Sequence, residues 1–193
     1  MENSLRLTYR KNLNEEKLEI DIIEDCKQNP QAFEPLYTKY FEKIYSFIFY
    51  RIESANTASE LTSQTFLNAL SKIHQFTYKG IPFSSWLYRI ALNECNAYYR
   101  KSKSSRLIIL DDKTLDFLSE EVGTDSAYRE EHFQKLEATI HTLKPEQVQL
   151  LQLRFFDNLS FREIAQILDI KENNAKVKLY RILDKVRLKM DIK

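Results

Sequence analysis

Glycine and proline are scarce in this chain, two and four in 193 residues, so turns and extended segments that depend on them must be few. Apolar residues recur mostly at helical spacing, which with that scarcity argues against a sandwich or barrel and for an all-α protein. Cys26 and Cys95 stand far apart, with no CxxC pair or Cys/His cluster; a disulfide framework and a zinc site are therefore not suggested, and both read as packing residues. No apolar run is long enough to span a bilayer, and Met1–Arg10 lacks the hydrophobic stretch of a signal peptide. The expectation is a cytoplasmic protein without membrane insertion. A glycine-rich phosphate loop is absent, and His74, His132 and His141 have no neighbouring pattern that resembles a triad or metal site. No catalytic residue, metal ligand or cofactor is expected, and an enzyme is the least supported class.

Excess charge of one sign is missing as well. The 29 basic and 28 acidic residues leave a net charge of +1, weak support for a polyanion-binding protein. The distribution is more telling than the sum. Between Lys101 and Glu131 the acids Asp111, Asp112, Asp116, Glu120, Glu121, Asp125, Glu130 and Glu131 outnumber the bases, periodicity is poor, and Gly123 sits there. This stretch reads as a linker between two small helical domains. The expected division is an N-terminal extension over 1–18, a first domain over 19–101, a linker over 102–128 and a second domain over 129–193. Ile108, Ile109, Leu110, Leu115, Phe117 and Leu118 predict that part of the linker docks on a folded surface.

What is present is helical patterning with start signals. Phe33, Leu36, Tyr37, Tyr40, Phe41, Ile44, Tyr45, Ile48 and Ile52 form one broad apolar stripe. Thr57 with Glu60 reads as a capping box opening a second helix, with Leu61, Phe66, Leu70 and Ile73 inward. After a break at Gly80 and Pro82, Ser84 is placed to cap a third helix that buries Leu87, Ile90, Ala91 and Ala97. Its other face carries Arg89, Asn93, Asn96, Arg100 and Lys103, cations and amides without an acid, just after a loop holding Phe76, Tyr78 and Lys79. Cations for phosphates, amides for base edges and an aromatic surface for stacking are what an unpaired strand requires. Taken alone, the stripe is equally explained as a solvated face. Trp86, Tyr98 and Tyr99 read as core or rim.

Near the C-terminus, Pro145 in a first turn opens one helix, and Ser160 with Glu163 forms a capping box opening another. Asp169-Ile170-Lys171 interrupts the period before a final helix, which gives a helix-turn-helix. A step of about 100° per residue turns Ala175, Leu179, Ile182 and Val186 inward and Asn173, Lys176, Val177, Tyr180 and Arg181 outward, with Lys178 at the flank. In a major groove such a set serves guanine or phosphate, adenine and the thymine methyl respectively through its bases, amide and apolar atoms.

The segments FEPLYTKYFEKIYSFIFYRI, ASELTSQTFLNAL, FSSWLYRIALNECNAYYRK and LKPEQVQLLQLRFFDNLSFREIAQILDIKENNAKVKLYRILDKVR, in this order and spacing, resemble regions two and four of bacterial RNA polymerase sigma factors of the extracytoplasmic-function group. The likeness runs from about Ile22 to Met190. It implies a promoter-recognition and DNA-melting role in transcription initiation, without catalysis by the chain itself. By that resemblance, Glu60, Ser63 and Gln64 meet the clamp helices of the polymerase largest subunit, and the flap is a further polymerase contact. Phe76, Tyr78, Lys79, Arg89, Asn93, Asn96 and Arg100 meet the minus-ten strand, and Asn173, Lys176, Val177, Lys178, Tyr180 and Arg181 meet the minus-thirty-five duplex. An anti-sigma partner is also implied. The chain departs from the family at Glu60 and Ser63-Gln64, where Asp and Gln-Glu are common, and at Asn174-Ala175-Lys176-Val177-Lys178, where Thr-Val-Lys-Ser-Arg is common. Val177 removes a hydroxyl and Lys178 replaces a fork of donors by an ammonium, which points to an atypical promoter. A polymerase-independent helix-turn-helix regulator, its first domain sensing or dimerising, is the alternative.

Overall fold

The computed structural model describes residues 17–52, 54–102, 118–119, 121 and 129–191, among which every regular element is helical. The expected N-terminal extension up to residue 16, Lys103 and most of the linker lie outside the described residues. Helix α1 covers residues 17–26. A 3-10 turn at Pro30–Phe33 leads into α2 (Glu34–Ile52), α3 (Ala55–Ser71) and α4 (Phe83–Ser102). A second group holds α5 (Arg129–His141), α6 (Pro145–Leu151), a π-helical segment Gln152–Phe156, α7 (Phe161–Leu168) and α8 (Glu172–Met190).

Helix starts follow local chemistry, though not always at the expected residue. Asn29 Oδ1 accepts from the Gln31 N–H at 3.1 Å and starts the 3-10 turn. The expected box at Thr57 is corrected: Ser54 caps α3, its Oγ accepting from Thr57 N–H at 3.4 Å, so Thr57 lies inside the helix. Ser84 likewise is internal, because α4 already begins at Phe83. The Ser160–Glu163 box forms as expected, with Glu163 N–H donating to Ser160 Oγ at 3.3 Å and Ser160 N–H to Glu163 Oε2 at 2.8 Å. Pro145 occupies the first turn of α6, where its missing N–H is harmless.

Helices α2, α3 and α4 pack on one another in pairs, and Leu36, Tyr40, Ile44, Phe47 and Ile48 of α2 fill the space between them. Tyr40 Oη donates to Glu19 Oε2 at 2.6 Å and ties α1 to this core. The inward face of α3 differs from the expected one. Its buried residues are Ala58, Thr62, Thr65, Phe66 and Ala69, whereas Leu61 and Leu70 are half-buried. Small residues here suit the close packing of α3 against two helices, and Thr62 and Thr65 satisfy their buried hydroxyls by donating to Ala58 and Leu61 carbonyls, both at 2.7 Å. Tyr37, expected on the apolar stripe of α2, is exposed, while Phe47 and Arg51 are buried.

In the second group α7 and α8 form the helix-turn-helix, with α5 and α6 against α8. Asp169 closes α7 in the left-handed conformation at φ 56°, which Asp adopts more readily than most non-glycine residues, and Ile170 N–H returns to Ala165 O at 3.0 Å. From the linker, Leu118 is buried. The two groups share one connected apolar core, and α7 lies along α4.

Candidate nucleic-acid interface

The last helix offers the simpler surface. Ala175, Leu179, Ile182 and Val186 of α8 are buried as the helical period requires, together with Leu183 and Met190. Their burial turns Asn173, Val177, Lys178, Tyr180 and Arg181 to the exposed side. Val177 and Tyr180 keep 47% and 55% of their surface exposed, unusual for apolar groups that meet only water. Lys176 is more constrained than the others. Its Nζ lies 2.8 Å from Glu172 Oε1 and over the Phe161 ring at 5.7 Å, and the side chain is half-buried.

The second surface joins the loop before α4 to the α4 stripe. Tyr78 and Lys79 are exposed on the loop, Asn93 and Arg100 are exposed on α4, and Asn96 and Arg89 are half-buried on the same helix. Phe76 departs from the expected stacking role. It is only 7% exposed and packs on Phe83 and Trp86 at ring distances of 5.1 and 5.5 Å, which makes it the floor of the site. Above it lies a cavity of about 250 Å³, lined among others by Phe76, Lys79, Trp86 and Arg89. Trp86 and Thr77 join this lining although the sequence pattern singled out neither for it; an aromatic next to the loop was the available signal for Trp86.

The rim of that cavity includes Gln166 of α7, so the helix-turn-helix group closes over it. Arg89 Nη2 lies 3.2 Å from Asp169 Oδ2, and Arg162 Nη2 donates to Lys79 O at 3.2 Å. Gly80 sits at φ 70°, and a Cβ there would meet Arg162 Nη2 at 2.9 Å, so the loop backbone and the guanidinium approach closely because the residue is glycine. Deeper in the same contact, Arg51 Nη2 meets Asp157 Oδ2 at 3.4 Å, and Arg51 Nη1 donates to Phe47 O at 2.7 Å. The Arg51 guanidinium also covers the Phe47 ring at 3.5 Å. Burial pushes the Asp157 carboxyl up to about 6, with Arg51 pulling in the opposite direction. Burial, then the Asp157 charge, raise the Tyr88 phenol well above its ordinary value.

On α3, Glu60, Ser63 and Gln64 share an exposed face. Leu67 falls on that face too, 61% exposed, an apolar residue off the buried stripe that sequence reasoning passed over. Gln64 is held by a 3.1 Å hydrogen bond from its Nε2 to Asn68 Oδ1, and Asn68 Nδ2 donates to Glu94 Oε1 of α4 at 2.8 Å. The α3 face is thus linked to α4 by a side-chain hydrogen bond. Among the described residues no cluster of His, Cys, Asp and Glu is arranged to hold a metal ion, and no helix is long and apolar enough to cross a membrane.

Two helical units, one of them a helix-turn-helix with an exposed face on its second helix, define a DNA-binding class of protein. Residues 36–105 match the family described as Sigma-70 region 2, and residues 133–186 match that described as Sigma-70, region 4. The chain belongs to the sigma-70 family of RNA polymerase sigma factors, in its extracytoplasmic-function group. It is 35% identical over 151 residues to the ECF RNA polymerase sigma factor BldN of Streptomyces coelicolor, covering 78% of this chain and 57% of that protein. It is 26% identical over 166 residues to the ECF RNA polymerase sigma factor SigX of Bacillus subtilis, covering 84% of this chain and 85% of that one. The fold is similar to that of CnrH, solved in complex with the cytosolic domain of CnrY, at a TM-score of 0.57 and 20% identity, over 89% of this chain and 96% of that chain.

Proposed function

We propose that this chain directs core RNA polymerase to promoters and opens them, in the cytoplasm and without catalytic activity of its own, using its two faces for two forms of DNA. Tyr78, Lys79, Arg89, Asn93, Asn96 and Arg100 receive the unpaired minus-ten strand, with Phe76 and Trp86 beneath it. Lys176, Val177, Tyr180 and Arg181 read the minus-thirty-five duplex, while Asn173 and Lys178 flank it. Glu60, Ser63 and Gln64 on α3 meet the polymerase clamp. The division of labour follows the division of the chain: a first domain over 19–101, a linker over 102–128 and a second domain over 129–193.

The observation that carries this reading is the occurrence, in one sigma-70 chain, of an aromatic-floored loop beside an amide and cation stripe together with an exposed helix-turn-helix face. The small net charge supports dependence on polymerase, since few counterions would be released by the free chain. CnrH was solved in complex with the cytosolic domain of CnrY, and a protein partner is proposed here too, in keeping with the anti-sigma partner that the resemblance implies. The test is to mix the protein with core polymerase and map transcription starts. Initiation at promoters that core alone ignores is the expected result. Tight sequence-specific duplex binding by the free protein, with no effect on initiation by core, would instead favour a polymerase-independent regulator.

A further inference from the structure

Within the outward set on α8, Lys176 is held by side chains other than its own. Its Nζ meets Glu172 Oε1 at 2.8 Å, one helical turn back, and the two side chains keep 44% and 45% of their surface exposed. Lys178 and Arg181 have no carboxylate partner among the described residues. A second hold on Lys176 comes from α7: its ammonium stands over the Phe161 ring at 5.7 Å, and that ring is itself packed against the apolar core. The Arg154 guanidinium lies over the same ring at 5.2 Å and donates from Nη1 to Leu159 O at 2.9 Å. Like charge disfavours movement of the ammonium towards Arg154, whereas the Glu172 carboxylate attracts it.

Neither stability nor affinity accounts for Glu172. An exposed ion pair at a spacing of four adds little to the stability of a helix. A carboxylate on a face that meets DNA repels phosphate, so Glu172 weakens binding to every duplex alike. Its place in the first turn of α8 suits the helix dipole, but that needs only the charge and not the contact with Lys176. What the pair changes is the choice open to Lys176. An unrestrained lysine is a point charge on a flexible stem, and beside DNA it reaches phosphate, which carries no sequence information. An ammonium has three N–H donors; one spent on Glu172 leaves two, the number that the O6 and N7 acceptors of a guanine take.

We infer that Glu172 is a positioning residue for sequence reading: it holds Lys176 to a guanine edge of the minus-thirty-five duplex and away from phosphate, so that the chain loses general affinity and gains discrimination at one base pair. This rests on the promoter-binding reading above and adds a residue outside its set of base contacts, one that acts through Lys176.

The experiment uses the full chain as wild type, Glu172→Gln, Glu172→Asp, Lys176→Ala and the double variant Glu172→Gln/Lys176→Ala. Selection over randomised upstream elements with each holoenzyme reads base preference, and binding of each free chain to a mixed-sequence duplex at low salt reads general affinity. Lys176→Ala should erase a guanine preference at one position. Glu172→Gln should weaken the preference at that same position about tenfold, while general affinity rises about twofold or more. Glu172→Asp keeps the charge but is one methylene shorter, so it should weaken the same preference without that rise. The double variant should select the same sequence as Lys176→Ala. A merely structural role would lower binding to all sequences alike, and that result overturns the inference. So does a wild type with no guanine preference in the element, a preference that survives Glu172→Gln, or one lost at a position that Lys176→Ala leaves unchanged. Start sites are mapped in parallel. A wild type that initiates at promoters core alone ignores, beside any of those results, removes only the role of Glu172; a wild type that never supports initiation removes the promoter function, and this inference with it.

Discussion

Asp157 is the residue whose environment departs most from its sequence appearance. Arg51 from α2, Tyr88 and Tyr99 from α4 and Glu163 from α7 are charged or titratable groups around this contact, and burial there outweighs the attraction of Arg51. The folded chain therefore holds a proton on Asp157 that the unfolded chain has already lost between the ordinary value of 3.8 and about 6. The folded state binds more protons in that window, so this contribution to stability falls as pH rises through it and levels off above it. Denaturant unfolding at pH 4 and pH 7 should show that loss, and Asp157→Asn should remove it from the difference between the two. On the exposed face of α8 the prediction is chemical. Arg181→Ala should cost about 1–3 kcal/mol at one base position and relax the preference there, whereas Lys178→Ala should weaken all sequences alike. Val177→Ser should reduce a thymine preference, since its methyl groups cover the C5-methyl. Selection over randomised upstream elements with holoenzyme checks all three; a changed motif for Lys178→Ala alone would mean that another face of α8 enters the groove.

At the scale of elements, α3 packs on α4 and is linked to it through the Gln64–Asn68–Glu94 chain of hydrogen bonds. Leu67 is exposed, so its loss should leave thermal stability unchanged, while Leu67→Ala should weaken association with core polymerase about tenfold if the α3 face is the docking surface. Pull-down by core combined with a thermal melt separates the two effects. On α4, Asn96→Ala should reduce permanganate-detected melting while closed-complex formation is retained; normal melting in the single variants and in the combined Arg89, Asn93, Asn96 and Arg100 variant would reduce the stripe to a solvated face. Ser160→Ala should destabilise the helix-turn-helix by about 1 kcal/mol, because the Glu163 N–H loses its acceptor, and denaturant unfolding measures it.

For the whole molecule, a chain with a net charge of +1 has little general attraction for DNA, and Arg89 of the α4 stripe already faces Asp169. The isolated protein should bind promoter duplex weakly and the polymerase complex should bind it well, a contrast that gel shifts at fixed salt will detect. Affinity of the free protein that equals that of the complex would contradict the dependence on polymerase.

The sequence by itself determined the helices that carry strong local chemistry. The Ser160–Glu163 box, Pro145 in the first turn of α6 and the period of Ala175, Leu179, Ile182 and Val186 in α8 were all legible, because capping and amphipathic spacing are set within a few residues. So was the grouping of Arg89, Asn93, Asn96 and Arg100 on one side of α4. Where competing local signals stood close together, the reading slipped: Ser54 rather than Thr57 caps α3, and α4 starts one residue before Ser84. Burial on α3 also differs from its apolar pattern, since large apolar residues suggest an inward face whereas close helix packing selects Ala58, Thr62, Thr65 and Ala69 beside Phe66. Tertiary structure alone decided the rest. An arginine four residues after Phe47 on the buried phase of α2 is a detectable oddity, but its partner lies 106 positions away at Asp157, and no local period links them. The burial of Phe76 on Phe83 and Trp86 depends on how the loop folds back on α4, and the approach of Gln166, Arg162 and Asp169 to that loop and to Arg89 depends on how two separately patterned units meet, which is a property of their surfaces together and not of either stretch of sequence.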